Sequence, residues 1–196
     1  MSAYNVAILL FDEVEVLDFC GPFEVFSVAD AYNPVRPFNV YTVAEKTPIL
    51  ARNGLSVNPS YLLDEPACPE PDLLVVPGGR GTRQAMQHER LLAWIREQAR
   101  QAHLTLSVCT GALLLARAGL LDGLAATTHH SAFEELRAVA PHTTILPDRR
   151  IVDNGTVIVS AGISAGIDMA LHVVARLHGL EMARQTAAYM EYDWRP

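Results

Sequence analysis

Residues 104–121 read LTLSVCTGALLLARAGLL and place one cysteine between two apolar stretches of different character. Leu104–Val108 is a largely apolar stretch of strand length, whereas Gly111–Leu121 has the length and apolar content of a buried helix. Cys109 lies at the junction of the two. A buried strand that passes directly into a helix is the basic unit of α/β proteins, so this stretch predicts that fold class.

The same alternation continues on both sides of this stretch. We predict further strands over Val6–Phe11, Phe38–Ala44, Leu73–Val76, Ala125–Thr128, Thr143–Leu146 (an edge strand) and Thr156–Val159. We predict helices over Phe23–Ala29, around Leu91 to Ala99, and over Phe133–Val139, Ala165–His178 and Met182–Tyr192. Turns at Asn53-Gly54 and Asp153-Asn154-Gly155 predict an extended excursion over Ile49–Val57 and a hairpin starting at Ile151. Together these elements predict one doubly wound, mostly parallel sheet sandwiched by helices.

Length and charge restrict the classes of function. The 196 residues contain no repeat or linker, so residues 1–196 are predicted to form a single domain. The formal charge of -7, without a Lys/Arg cluster, argues against a nucleic-acid partner. Val6–Phe11 is too short to span a bilayer and Met1–Tyr4 lacks the basic region of a signal peptide, which predicts a cytoplasmic protein without a membrane partner.

The cysteines and histidines do not have metal-site spacing. The chain has three cysteines, an odd number with no CxxC pair, which fits neither a disulfide framework nor a zinc site. The histidines likewise share no spacing that suggests a metal centre. We therefore expect no metal, and we read Cys20 and Cys68 as small buried apolar residues.

Chemistry in a parallel sheet is expected where the strands end. Ligands of such sheets bind beyond the carboxyl ends of the strands, so the residues after each strand are candidates for the site. Five segments with polar or glycine-rich sequence are predicted to meet there: Asp18 with Gly21-Pro22, Gly78-Gly79, Cys109-Thr110-Gly111, Thr128-His129-His130, and Ser160-Ala161-Gly162.

Cys109 is the candidate nucleophile. Gly111 allows the sharp turn of a nucleophile elbow, and the N-terminus of the following helix places N–H groups and partial positive charge beside the sulfur. Both features favour the thiolate, the reactive form of cysteine. The alternative is an inert cysteine buried under the first turn of the helix.

The neighbouring glycines predict an anion site. The N–H groups of Gly79 and Thr110 are placed to converge on charge that develops at an atom attacked by Cys109, as in an oxyanion hole. Gly78 and Gly111 complete this predicted substrate- and oxyanion-binding set. The sequence Pro77-Gly78-Gly79-Arg80-Gly81 is equally consistent with a simple tight turn.

Two side chains are candidates for acid–base chemistry. Because proline prefers the first helical position, Pro22 places Asp18 in the loop before the helix, where its carboxylate is suited to relay a proton or orient water. A loop-bracing carboxylate is the alternative. His129 is a second candidate base for Cys109, and an ordinary hydrogen-bonded histidine is equally consistent with its position.

These segments together resemble the ThiJ/PfpI superfamily, which has the flavodoxin-like, class I glutamine-amidotransferase-like fold. The resemblance rests on Leu73–Gly79, Ser-Val-Cys-Thr-Gly at 107–111, Ala-Thr-Thr-His at 126–129 and the Ser-Ala-Gly-Ile stretch from Ser160, and it spans nearly the whole chain. Residues 17–22 and 191–193 look closest to isonitrile hydratases and to the sensor domains of AraC-type regulators.

The resemblance implies a mechanism. Isonitrile hydratases add water to an isonitrile to give an N-formamide, and Cys109 and Asp18 match their cysteine and aspartate. In that scheme the thiolate attacks the isonitrile carbon, Asp18 handles protons and water, and Thr110 and Gly79 hold the substrate or the developing charge. It implies a small-molecule substrate, no cofactor or metal, and a homodimer.

Two other functions stay open. Protease-like and glyoxalase-like relatives place a glutamate against the cysteine, whereas Asp18 stands there in this chain, but a glyoxalase- or amidase-like enzyme remains an alternative. The other alternative is a non-catalytic sensor of a small molecule or of oxidation at Cys109. AraC-type relatives carry a helix-turn-helix region after this domain, and this sequence stops at Pro196, so we expect no direct binding to DNA.

Overall fold

The computed structural model describes residues 3–32 and 35–196. Its strands are β1 (Tyr4–Leu10), β2 (Phe38–Ala44), β3 (Ile49–Ala51), β4 (Leu55–Val57), β5 (Tyr61–Leu62), β6 (Leu73–Val76), β7 (Leu104–Val108), β8 (Ala125–Ala126), β9 (Thr144–Ile145), β10 (Ile151–Asp153) and β11 (Val157–Ser160). Its helices are α1 (Val16–Val28), α2 (Thr82–Ala85), α3 (Glu89–Gln101), α4 (Gly111–Arg117), α5 (Phe133–Val139), α6 (Ala165–His178) and α7 (Leu180–Tyr189).

A seven-stranded sheet forms the centre of the molecule. Its strand order is β10-β11-β7-β6-β1-β2-β5, and every neighbouring pair is parallel except β10 with β11. Helices cover both faces of the central strands, so every residue of β6 and β7 is buried, including Thr105 and Ser107 of β7. The predicted α/β fold with a mostly parallel sheet is confirmed.

The first helix begins earlier than predicted. It starts at Val16, so Asp18 lies in its first turn and Pro22 lies inside the helix, which corrects the prediction that Asp18 precedes it. A proline has no N–H to donate to the carbonyl four residues earlier, here that of Asp18. Packing against α6 holds the helix together, since Gly21 lies against Ile167 and Pro22 against Gly166.

Other elements differ from prediction at their ends. Helix α4 ends at Arg117 rather than Leu121, because Gly119 takes a left-handed conformation with φ +78°. Strands β8 and β9 form their own two-stranded parallel sheet, so Thr144–Ile145 is not an edge of the main sheet. Strand β5 occupies the edge beside β2 and is too short to leave a hydrophobic pattern.

The helices are all short. The longest, α6, has 14 residues. Over residues 3–32 and 35–196, no helix is long and apolar enough to cross a bilayer.

Candidate active site

The structure brings the predicted segments together at the carboxyl edge of the sheet. The N–H of Cys109 donates to the carbonyls of Ser160 and Ala161, at 3.2 and 3.1 Å, which ties the end of β7 to the segment after β11. The hydroxyl of Thr128 donates to the Cys109 carbonyl at 2.7 Å. The N–H of Gly78, just beyond β6, donates to Asp18 Oδ2 at 2.9 Å.

Cys109 occupies a strained turn. Its φ of +59° lies in the left-handed region, which costs a residue other than glycine about 1–2 kcal/mol. Such strain persists only where surrounding contacts fix it, and it is concentrated at functional sites. The bonds from Cys109 N–H and to its carbonyl supply that fixation. The residue is 5% exposed, so its sulfur is nearly withdrawn from solvent.

Asp18 is a fully buried carboxyl group beside this sulfur. Burial raises its pKa to about 7, the negative charge of Glu15 adds to the rise, and the bonds with Gly78 and Cys109 oppose it. Oδ1 is also buried, and it has no well-formed hydrogen-bond partner among the described residues. Asp18 therefore changes its protonation state near neutral pH with one oxygen still available to a proton.

The thiol of Cys109 is neutral in the resting protein. Burial raises its pKa to about 12, the charge of Asp18 contributes to the rise, and the N–H groups of Thr110 and Ile163 lower it. The prediction of a resting thiolate is therefore wrong, because desolvation and a neighbouring carboxylate outweigh the amide donors. Asp18 and Cys109 are best treated as a coupled pair that holds protons jointly.

The predicted oxyanion pair is also different in the structure. The N–H of Gly79 donates to Thr110 Oγ1 at 2.9 Å and is thus occupied within the protein. The amide groups that act on the sulfur are those of Thr110 and Ile163. Sequence reasoning missed Ile163, although it directly follows the Ser160-Ala161-Gly162 segment that was expected at this edge.

Gly78 and Gly111 have a packing role at the site. A Cβ at Gly78 would fall 2.5 Å from the Thr110 nitrogen, and one at Gly111 would fall 2.0 Å from the Val76 carbonyl oxygen. Only glycine permits the ends of β6 and β7 to approach this closely. These two residues let Asp18 and Cys109 come together; they present no side chain to a ligand.

His129 lies near the site but does not bond to the sulfur. Its Nδ1 is 2.8 Å from Ser131 Oγ, and its ring lies against that of His130 with centroids 4.2 Å apart and planes tilted by 36°. Burial and the neighbouring His130 lower its pKa, whereas Glu15 raises it. Among the described residues no hydrogen bond joins His129 to Cys109, so the group placed to exchange a proton with the sulfur is Asp18.

A cleft of about 380 Å³ lies next to residues that contact Cys109. Its lining includes Thr128, His129, Phe133 and Ile163, of which Thr128 and Ile163 contact Cys109 through its carbonyl and its sulfur. Another cavity of about 250 Å³, near His88, contains none of the predicted site residues. Of these two cavities, the cleft near Ile163 is the one whose lining includes residues that contact Cys109, although Cys109 and Asp18 do not themselves line it.

The model of the DJ-1/PfpI family matches residues 4–176. An isonitrile hydratase from Pseudomonas putida is 36% identical over 196 residues, which cover 99% of this chain and 81% of that protein. The HTH-type transcriptional regulator CdhR from Pseudomonas aeruginosa is 33% identical over 174 residues, 84% of this chain and 51% of the regulator, so the chain spans about half of it. A crystal structure of a ThiJ/PfpI family protein from Pseudomonas syringae matches with a TM-score of 0.87 and 31% identity, over 100% of this chain and 78% of that one.

Proposed function

The chain belongs to the DJ-1/PfpI family, and on that premise we propose that it is a cysteine-dependent hydratase that converts an isonitrile and water into an N-formamide. The observation that carries the proposal is the buried pair of Asp18 and Cys109. The raised pKa of Asp18, about 7, makes its carboxylate a stronger base than an ordinary one, and it lies beside the thiol whose proton has to be taken.

The first half of the reaction forms a covalent intermediate. Asp18 takes the thiol proton as the Cys109 sulfur bonds to the isonitrile carbon, and that proton is then delivered to the same carbon. The product of this half is a thioimidate, in which the carbon carries one hydrogen, the sulfur and a double bond to nitrogen. The N–H groups of Thr110 and Ile163 stabilise the negative charge on the sulfur as it forms.

The second half consumes one water. Asp18 accepts a proton from water as the oxygen bonds to the thioimidate carbon, and it passes that proton to the imidate nitrogen, which leaves Asp18 ionised again. The tetrahedral intermediate then expels the sulfur, its hydroxyl proton returns to Cys109 through Asp18, and the N-formamide leaves. Atoms balance as one isonitrile plus one water, without an oxidant or reductant.

The test compares wild type with Cys109→Ser and Asp18→Asn on a panel of small isonitriles, with N-formamide measured by chromatography. We expect turnover by the wild type and loss of turnover by about a hundredfold or more in each variant, since each removes a reacting group. Arg176→Met, a change on the far end of α6, is the control and keeps wild-type turnover. Undiminished turnover by Cys109→Ser contradicts the proposal.

A small-molecule sensor is the second candidate function. It is favoured by the match to the HTH-type regulator and by the high pKa of Cys109, which makes the resting thiol a poor nucleophile. Methylglyoxal and small amides belong in the same substrate panel, because a glyoxalase- or amidase-like relative would act on them. Saturable binding of an isonitrile to Cys109→Ser, with no turnover by the wild type, supports the sensor.

A further inference from the structure

The segment between β11 and α6 carries a second strained residue. Ile163 has φ +52°, a conformation that is a genuine outlier for a β-branched side chain. The same segment accepts the Cys109 N–H at the Ala161 carbonyl, at 3.1 Å, and its Ile163 N–H faces the sulfur. Something outside the segment must hold this conformation in place.

Arg150 contacts the segment on both sides of Ile163. Its carbonyl accepts the Ala161 N–H at 2.9 Å, and its Nη2 donates to Ser164 Oγ at 3.2 Å. The guanidinium also donates from Nε to Asp168 Oδ2, at 2.5 Å, in the first turn of α6. One residue thus spans the strained turn and anchors it to the helix that follows.

The C-terminal segment completes this arrangement. The hydroxyl of Tyr192, which follows α7, donates to Asp168 Oδ1 at 3.1 Å, so both carboxylate oxygens of Asp168 are occupied. The Arg150 side chain is about half exposed, and an exposed ion pair contributes little to stability. We therefore expect this ion pair to fix the position of residues 161–164 rather than to add stability.

We propose that Arg150, Asp168 and Tyr192 form a positioning network that holds the Ile163 N–H beside the Cys109 sulfur. The inference rests on the proposed use of Cys109 as the nucleophile. It gives a role to Tyr192 within residues 191–193, a segment that contributes no group to the site itself. Among the described residues, Asp18 from α1 is the charged side chain that bears directly on Cys109, and Glu15 bears on Asp18.

The experiment measures the reactivity of the Cys109 thiol in the absence of any isonitrile. The rate at which iodoacetamide alkylates Cys109 is followed from about pH 7 to pH 10. The protein carries Cys20→Ser and Cys68→Ser, so that Cys109 is the cysteine that reacts. The rate follows the thiolate fraction, which changes about tenfold per pH unit below the pKa. We expect Arg150→Met to lower this rate about fivefold, the effect of one lost neutral hydrogen bond.

Variants on the same network separate positioning from stability. Arg150→Lys should recover part of the rate, because its ammonium reaches Asp168 but lacks the planar fork that also bonds Ser164. Tyr192→Phe removes a single hydroxyl and should lower the rate by a smaller factor. The control is Arg176→Met, on the same helix as Asp168, which breaks an ion pair with Asp153 at the end of β10 and lies away from residues 161–164.

An unchanged alkylation profile in a folded Arg150→Met overturns the proposal. If Arg150→Met does not fold, the alkylation profile of Tyr192→Phe is measured instead, and a profile identical to that of the wild type overturns the proposal. A slower Arg176→Met also overturns it, since the effect would then be a general loosening of α6. Absence of hydratase activity in the wild type leaves these readouts intact and counts against the proposed function alone.

Discussion

Replacing Asp18 with asparagine should stabilise the folded protein at neutral and alkaline pH while it abolishes the proposed activity. Burial raises the pKa of Asp18 from 3.8 to about 7, and each pH unit between these values corresponds to about 1.4 kcal/mol. The charged carboxylate thus costs the folded state on the order of 4 kcal/mol above pH 7. Asparagine carries no charge and still offers a carbonyl oxygen to the Gly78 N–H.

The sign of the pH dependence follows from the direction of the shift. A carboxyl group with a raised pKa in the folded state contributes stability that is fully present below about pH 4 and lost as pH rises to about 7. Wild type therefore loses this contribution across that window, and Asp18→Asn does not. The difference in the free energy of unfolding should be small near pH 4, grow up to about pH 7, and stay constant above it.

Urea unfolding of both proteins at several pH values between about 4.5 and 8.5 measures this difference. Asp12→Asn is the control of opposite sign: burial raises the pKa of Asp12, but its bonds with Lys46 and Leu50 lower it by more. That variant should lose stability relative to wild type at neutral pH and approach it in acid. A free-energy difference for Asp18→Asn that does not change with pH would refute the assignment of a buried, costly charge.

Two further predictions concern packing and assembly. Gly78→Ala places a Cβ 2.5 Å from the Thr110 nitrogen and should lower both the melting temperature and the turnover. Gly119→Ala, where φ is +78° and the space around the residue is open, should cost only about 1 kcal/mol of left-handed strain and keep full turnover. Equal losses of melting temperature in the two variants would contradict the reasoning. The homodimer implied by the family resemblance predicts twice the mass of one chain by light scattering, and a monomer at micromolar concentration would be evidence against it.

The central strands could be predicted from the sequence because their environment is simple. Phe38–Ala44, Leu73–Val76 and Leu104–Val108 have the same bounds in the structure as in the prediction. Leu73–Val76 is an uninterrupted apolar run, as expected of a strand buried on both faces, and the other two strands largely alternate apolar with polar side chains over strand length. The edge of the sheet that holds the site followed directly from these strands and from their parallel order.

The start of α1 could not be predicted because a tertiary contact overrides a local rule. Proline at the first helical position is a statistical preference that takes only the local sequence into account, and it placed Asp18 outside the helix. Packing of Gly21 and Pro22 against α6 lets the helix begin six residues before the proline. Nothing within residues 16–22 encodes that contact, since the other half of it lies at Gly166 and Ile167.

The protonation state of Cys109 is a balance of opposing effects, and the sequence displays only one side of it. The strand-turn-helix pattern shows the amide donors that favour a thiolate, and these are present in the structure. It does not show how much water is removed from the sulfur, nor that the charge of Asp18 is brought against it by a helix more than eighty residues earlier in the chain. Because those two effects are larger, the resting thiol is neutral, and a proton must leave it during each turnover. In the proposed reaction Asp18 is the group that takes this proton, and the burial that suppresses the resting thiolate also makes Asp18 a stronger base than an exposed carboxylate.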